Sequence, residues 1–203
     1  AAPVLFGRRE VAPLMCEFLA KYPAVRGELT LADRVTYLLE KGIDVAIRIG
    51  ALSDSSLRMR AVGKTRRVVV ASPKYLAKHK RIRAVKDLHA HSLIHFTSIG
   101  PQPEWRFFRD GQEEHLTISP SFVTNSADAA IGHAERGGGL TMALGYQVVD
   151  SVRSGKLEVV LPKYEPPPYP IQLVYPASRL PSASLKAFVD MVVSTCSWSF
   201  VDL

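Results

Sequence analysis

The chain has 203 residues, 47% of them hydrophobic, which is enough for one large domain or two of about 100 residues each. Its two cysteines, Cys16 and Cys196, lie in apolar segments, which favours buried thiols in a reducing compartment over a disulfide framework. No apolar run approaches the ~20 residues that cross a bilayer, and the N-terminus lacks the pattern of a signal peptide. We therefore expect a cytoplasmic protein without membrane contact.

The formal net charge of +7 includes two dense basic runs, at residues 64–67 and 78–83. Clustered Lys and Arg can displace counterions from nucleic-acid phosphates. Neither run contains interleaved aromatic residues or belongs to a recognisable groove-reading helix, so we interpret both as solvated surface. The sequence predicts at most weak, salt-sensitive adhesion of this chain to any duplex.

The first part of the chain predicts alternating helices and strands. Residues 10–21 carry apolar side chains at three- and four-residue spacing, which predicts a helix that Pro23 ends. Strands are predicted at residues 25–31, 43–50 and 66–71, and a helix at residues 34–41 with Gly42 as its cap. The unbroken run of valines at residues 68–70 is typical of a strand buried on both faces of a parallel sheet. Together with a first strand before Val4, these elements predict a parallel βαβαβ unit.

A second unit is predicted to begin at Ser72, which suits a helix N-cap and is followed by Pro73. Strands are predicted at residues 92–96, 140–143 and 157–161, helices at 126–136 and 146–153, and a hairpin of 105–108 and 115–118 around Asp110-Gly111. The prolines of residues 166–170 suit a stiff crossing, after which a strand at 171–175 and a helix at 182–194 return to the first unit. The sequence thus predicts an α/β fold with one subdomain of residues 1–71 plus 171–203, an inserted subdomain of residues 72–170, and two connections across one cleft.

Ligands of open α/β sheets bind where strands end and helices begin, because amide N–H groups are free there. The predicted positions are residues 4–7, 31–34, 49–53, 96–100 and 124–128. Their hydroxyls, the Asn125 amide and backbone donors suit a carboxylate or another small anion. Arg48, a charged residue within an apolar strand, suits either an effector carboxylate or a structural salt bridge.

Patterns that would indicate an enzyme are weak. The six histidines have no metal-ligand spacing, and the serines beside Asp54 lack a nucleophile elbow, which favours a capped turn. Residues 137–139 are three glycines without a Walker lysine, and a helix C-terminus explains them. We therefore expect no catalysis, no metal and no cofactor.

Three segments carry a resemblance to a known family: DVAIRIG at residues 44–50, DSSL at 54–57 and RVVVASPKYL at 67–76. They resemble the effector-binding domain of LysR-type transcriptional regulators, and the likeness extends from Pro3 to Val189. The resemblance implies two Rossmann-like subdomains with a cleft between them, in a type 2 periplasmic-binding-protein-like arrangement. It also implies that the effector in the cleft touches Leu5, Phe6, Ala32, Asp33, Ile47, Arg48, Phe96, Thr97, Thr124 and Asn125.

The resemblance further implies homodimers, in which residues 10–22 and 25–30 of one copy meet the second subdomain of the other, and tetramers of the full-length protein. DNA would be bound only through an N-terminal helix-turn-helix domain that this chain lacks. We therefore expect a ligand-sensing regulatory domain that shifts between more open and more closed arrangements. A solute-binding protein of a transport system shares the architecture and is the alternative, and a small hydrolase or transferase is a third hypothesis.

Overall fold

The computed structural model describes residues 1–33, 42–50, 57–177 and 182–203. The predicted helix at 34–41 and the serine-rich turn at 53–56 lie outside these residues. The chain divides into two compact units: unit 1 is Ala1–Thr65 with Tyr169–Ser199, and unit 2 is Arg66–Pro168 with Phe200–Leu203. The sequence predicted two passages of the chain between the units. There are three, because residues Phe200–Leu203 belong to unit 2.

The helices and strands are numbered in chain order. The helical elements are α1 (Val4–Phe6), a π-helical segment (Gly7–Val11), α2 (Ala12–Lys21), α3 (Pro73–Leu76), α4 (Ala127–Glu135), α5 (Gly145–Arg153) and α6 (Ala183–Thr195), with 3₁₀ turns at Val85–Ala90 and Pro162–Tyr164. The strands are β1 (Ala46–Ile49), β2 (Leu57–Thr65), β3 (Arg67–Ala71), β4 (Leu93–Phe96), β5 (Glu104–Arg109), β6 (Gln112–Thr117), β7 (Phe122–Thr124), β8 (Leu140–Leu144), β9 (Glu158–Val160), β10 (Tyr169–Pro176) and β11 (Trp198–Phe200).

The first helix begins at Val4 instead of residue 10, so residues 4–7 are helical. Helical backbone continues through a π segment, in which Ala12 N–H donates to the Gly7 carbonyl oxygen, and on through α2. The wider π turn precedes Pro13, which has no N–H and would crowd the carbonyl group one turn before it in a regular α-helix. The π turn therefore allows helical backbone to continue past Pro13 without a break.

Strand directions in unit 1 differ from the prediction. The four-stranded sheet has the order β1-β10-β2-β11, and β10 is antiparallel to both β1 and β2. The predicted strand at 25–31 is reduced to a single parallel bridge between Ala2 and Leu31. Strand β2 was not predicted, because exposed Arg58, Arg60 and Lys64 interrupt its apolar pattern. The prediction of a parallel βαβαβ unit is therefore wrong for β1, because β1 pairs antiparallel with β10, which lies far away in the sequence.

Unit 2 holds a five-stranded sheet of order β7-β4-β8-β3-β9. Strand β4 is parallel to β7 and β8, whereas β3 is antiparallel to β8 and β9. The predicted boundary after residue 71 differs from that of the units, because β3 belongs to this sheet. Its valines are buried on both faces, and such a run does not reveal strand direction.

Local signals in unit 2 gave correct predictions. Ser72 Oγ accepts a hydrogen bond from Tyr75 N–H at the start of α3, and Ser126 Oγ caps α4 in the same way. Strands β5 and β6 form the predicted hairpin, in which Asp110 and Gly111 both have positive φ, as a type I′ turn requires. The hairpin buries Trp105 in the core of unit 2.

Candidate functional site

Two parallel strands of unit 2 end side by side. Phe96 of β4 is paired with Thr124 of β7, and the following Thr97 N–H donates to the Thr124 carbonyl oxygen at 2.9 Å. Phe96 is buried, Thr97 and Thr124 are partly exposed, and Asn125 is exposed. The four residues implicated in this half of the chain therefore lie together at one sheet edge.

Helix α4 begins directly after this edge. Ser126 N–H donates to Thr124 Oγ1 at 3.1 Å, and Ser126 Oγ accepts from Ala129 N–H at 3.3 Å. The Asn125 side chain has no hydrogen-bond partner within the described part of the chain. A helix N-terminus with adjacent hydroxyl and amide groups presents donors to negative charge. This edge can therefore hold a carboxylate or a similar small anion.

His95 lies one residue before this edge and is not among the residues that the resemblance implicates. Its side chain is 4% exposed, and neither ring nitrogen is in hydrogen-bonding geometry with a described residue. Burial lowers the pKa of His95, and the nearby Gly100 backbone offsets part of this change. The sequence signal that could have identified this buried imidazole is the position of His95 between Ile94 and Phe96 in an apolar strand.

In unit 1 the N-terminal residues run between two other segments. Ala2 N–H donates to the Thr30 carbonyl oxygen and Ala32 N–H donates to the Ala2 carbonyl oxygen, both at 3.0 Å. Ile47 N–H donates to the Ala1 carbonyl oxygen at 2.9 Å. The segments around residues 32 and 47 are therefore brought next to the start of helix α1.

Most of the side chains implicated in unit 1 have structural contacts. Leu5 and Phe6 are buried in the core, and Phe6 packs edge to face on Trp198 at 4.9 Å between ring centroids. Asp33 Oδ1 accepts a hydrogen bond from Val4 N–H at 2.9 Å and so caps helix α1. Any ligand contact of Leu5 or Phe6 would have to use backbone groups of the first helical turn.

Arg48 lies in β1 opposite Gln172 of β10, and Gln172 Nε2 donates to the Gly50 carbonyl oxygen at 2.9 Å. The Arg48 side chain is partly buried, and burial lowers the pKa of its guanidinium group. Its neighbour Ile47 is buried in the core. A partly desolvated cation suits an anionic ligand or an internal ion pair, the two roles that the sequence left open.

Unit 1 also contains a cavity of about 300 Å³. Its walls come from α2, α6, β1 and β10 and are lined in part by Val11, Phe18 and Phe188. Of the residues implicated by the resemblance, it includes only Ile47. The other residues that the resemblance implicates therefore do not line this cavity.

Within residues 1–33, 42–50, 57–177 and 182–203, no group of three or more His, Cys, Asp or Glu side chains could hold a metal ion. The same residues contain no helix with the length and apolar character needed to span a membrane.

A model of the LysR substrate binding domain family matches residues 1–197. The chain belongs to this family. Sequence relatives include the transcriptional regulator CrgA of Neisseria meningitidis serogroup B, which is 31% identical over 184 residues, and the transcriptional activator AaeR of Escherichia coli K12, which is 30% identical over 195 residues. The alignments cover 90% and 95% of this chain, but only 61% of either relative.

Solved regulatory domains of the same class have the same fold. The CrgA regulatory domain from Neisseria meningitidis is 29% identical, with a TM-score of 0.80 and 95% of each chain covered. The regulatory domain of AphB from Vibrio vulnificus is 25% identical, also with a TM-score of 0.80 and 95% of each chain covered. These neighbours confirm the prediction of a LysR-type effector-binding domain with a type 2 periplasmic-binding-protein-like fold. The relatives are transcriptional regulators and not transporters, which disfavours the solute-binding alternative.

Proposed function

We propose that this chain is the sensing part of a LysR-type transcriptional regulator and that a small anionic metabolite binds at Thr97, Thr124 and Asn125. The observation that carries the proposal is the hydrogen bond of Thr97 N–H to the Thr124 carbonyl oxygen, which holds the ends of β4 and β7 together beside the N-terminus of α4. Hydroxyl, amide and helix N-terminal donors at one edge favour a carboxylate.

We also propose that Arg48 of unit 1 contacts an anionic effector, because this cation is partly buried and burial disfavours its charged form. An anionic ligand would compensate this lost hydration, because the guanidinium group forms strong hydrogen bonds with carboxylates. The side chains of Leu5, Phe6 and Ile47 are buried, so they would support the site through their backbone.

We further propose that effector binding acts on conformational equilibria without making or breaking a bond, so that no catalysis is involved. The full-length protein would bind DNA through an N-terminal helix-turn-helix domain in the cytoplasm and would form homodimers and tetramers. The family membership and the names of the relatives support this assignment. Turnover of an acyl or phosphoryl ester by this chain would contradict it.

A ligand screen tests the effector site. A library of small carboxylates and aromatic acids should contain a compound that raises the melting temperature of this chain, because a ligand of the folded state stabilises it by mass action. Thr97→Val and Asn125→Ala should each reduce affinity by about 10- to 150-fold, which corresponds to losing a hydrogen bond to a charged partner worth about 1.5 to 3 kcal/mol.

The matched controls are Thr117→Val and Gln112→Ala, which alter exposed residues of the β5–β6 hairpin. Both controls should keep the affinity of the unmodified chain. If a ligand bound Thr97→Val and Asn125→Ala as tightly as the unmodified chain, the proposed site would be wrong.

A further inference from the structure

The structure separates the two basic runs of the sequence into different environments. In the first run, Arg66 forms an ion pair with Glu165, and its side chain is only 22% exposed. In the second run, Lys78, Lys80 and Arg81 are all exposed. We define the basic strip as the exposed cations within and on either side of the second run: Lys74, Lys78, Lys80, Arg81, Arg83 and Lys86.

Buried side chains hold the backbone of the basic strip in place. Tyr75, Val85 and Leu88 are at most 3% exposed and belong to the core of unit 2, and Ile82 packs against the same core. The His79 ring stacks on Tyr75 with 3.9 Å between ring centroids. The exposed cations therefore alternate with anchoring residues, and binding a partner would require little ordering of the backbone.

The positive charge of the strip is largely uncompensated. Asp87 is the only acidic residue between positions 73 and 91, so the strip has a net charge of +5 with histidines neutral, six cations against one carboxylate. Asp87 Oδ2 accepts hydrogen bonds from Arg83 N–H at 2.8 Å and Ala84 N–H at 2.9 Å. No side chain of the strip forms an ion pair with a described residue. The single carboxylate fixes the turn and leaves the cations facing solvent.

We propose that the basic strip binds the sugar–phosphate backbone of duplex DNA without reading its sequence. Between residues 74 and 86 no large apolar side chain is exposed, and the exposed His79 ring is stacked on Tyr75. The strip therefore lacks the large anchors that supply most of the binding energy in protein–protein interfaces. Its only α-helix, α3, has four residues, too few for a groove-reading helix. Phosphates can be bound by cations alone, and such contacts position a protein without specifying a base sequence.

This inference rests on the proposed function for its biological setting. A DNA-binding domain in the same polypeptide would keep duplex DNA at a high effective concentration around the strip. Under that condition, contacts that are weak in isolation add to the affinity of the full-length regulator. The strip itself can be examined in this chain alone.

The test measures binding of this chain to a fluorescent duplex of random sequence at several salt concentrations. The strip variant Lys78→Glu/Arg81→Glu/Arg83→Glu is compared with the control Arg153→Glu/Lys156→Glu/Lys163→Glu, which changes three exposed cations of unit 2 by the same total charge. The strip variant should bind at least 10-fold more weakly than the control at low salt. Its slope of log affinity against log salt should be smaller by about 3, because each phosphate contact contributes about 0.9.

Melting temperatures of both variants should stay close to that of the unmodified chain, since the substituted side chains are exposed. Equal loss of DNA binding in both variants would overturn the inference, because it would assign adhesion to net charge alone. If poly-glutamate of equal charge competed as well as DNA, the strip would be assigned to an acidic polypeptide and the inference would also fail. The ligand screen is an independent test: if the strip bound DNA as expected but the screen yielded no effector, only the proposed function would be contradicted.

Discussion

Arg66 and Glu165 form a two-pronged ion pair that also reaches the C-terminal segment. Arg66 Nε donates to Glu165 Oε2 and Arg66 Nη2 donates to Glu165 Oε1, both at 2.7 Å. Arg66 Nη1 donates to the Val201 carbonyl oxygen at 3.0 Å, and its backbone N–H donates to the Phe200 carbonyl oxygen at 3.2 Å. One arginine therefore ties together the three segments of unit 2 that adjoin the passages of the chain into unit 1.

Removing one partner of this pair should destabilise the fold. Arg66→Ala should lower the free energy of unfolding by about 2 to 4 kcal/mol, because Glu165 is only 12% exposed and would lose its counter-charge. Arg66→Lys should restore only part of the loss, because lysine cannot donate the parallel pair of hydrogen bonds. Urea denaturation gives the values.

The control for this experiment is Arg106→Ala, whose side chain is 56% exposed and whose ion pairs with Glu104 and Glu113 are both at 3.6 Å. It should cost no more than about 1 kcal/mol. A double-mutant cycle of Arg66 and Glu165 should give a coupling energy of at least ~1 kcal/mol. Simple additivity of the two single substitutions would contradict the importance of the pair.

Acid should destabilise unit 2 through its buried histidines. Burial lowers the pKa of both His91 and His95, so the unfolded chain binds more protons than the folded chain at mildly acidic pH. Stability is then fully present well above the unfolded histidine pKa of about 6.5 and is lost as pH falls through the lower folded values. His95→Leu and His95→Gln should both flatten the dependence of unfolding free energy on pH between pH 7 and 5.

His89→Gln serves as the control, because His89 is exposed in the same region. As an exposed substitution, it should change the unfolding free energy by no more than about 0.5 kcal/mol. The coupling of His95 to stability would be wrong if its substitution shifted the unfolding free energy equally at pH 7 and pH 5.

Asp33 should contribute to stability in the absence of any effector. Asp33→Ala removes the side-chain acceptor of Val4 N–H at the start of α1 and should cost about 0.5 to 2 kcal/mol. Asp33→Asn should cost less, because the amide oxygen can still accept this hydrogen bond. Asp190→Ala, which changes an exposed acidic residue of α6, should be nearly neutral. A ligand-free Asp33→Ala chain as stable as the unmodified one would exclude the capping role.

Gly139, which precedes β8, should not tolerate a side chain. Its φ is +141°, and a Cβ there would collide with the Ser92 carbonyl oxygen, which accepts the Leu140 N–H hydrogen bond. Gly139→Ala should therefore lower the free energy of unfolding by more than about 2 kcal/mol, because it combines backbone strain with overpacking. Gly155→Ala is the matched control, since Gly155 has φ of +72° but open space around its Cα, and it should cost only about 1 kcal/mol. Comparable melting temperatures of the two variants would contradict the steric argument.

Features of unit 2 that depend on neighbouring residues could be predicted from sequence. Ser72 and Ser126 cap helices through amides three residues later, and Asp110-Gly111 closes a hairpin between adjacent segments. Each of these signals spans only a few positions, so the local sequence contains both partners. The sequence likewise predicted that Thr97 and Asn125 lie just after the ends of strands.

The sheet of unit 1 and the role of individual site residues depended on distant partners. Strand β10 pairs antiparallel with β1 and β2, although more than 100 residues separate it from either strand, and no local pattern specifies that direction. Asp33 looks like a strand-end acid in sequence, yet it caps a helix whose first residue is 29 positions earlier.

The sequence by itself determined the family, the positions of most helices and buried strands, and the polar residues that follow β4 and β7. Apolar residues of helices and strands repeat every two to four positions. Caps and turn residues lie within a few positions of the groups they contact, so a short window of sequence contains both. Only the tertiary structure decided strand order, the hydrogen bond of Thr97 N–H to the Thr124 carbonyl oxygen, and which cations of the two basic runs are exposed. These depend on long-range backbone pairing and on whether a charged side chain meets a partner such as Glu165, and neither is encoded within a short window of residues.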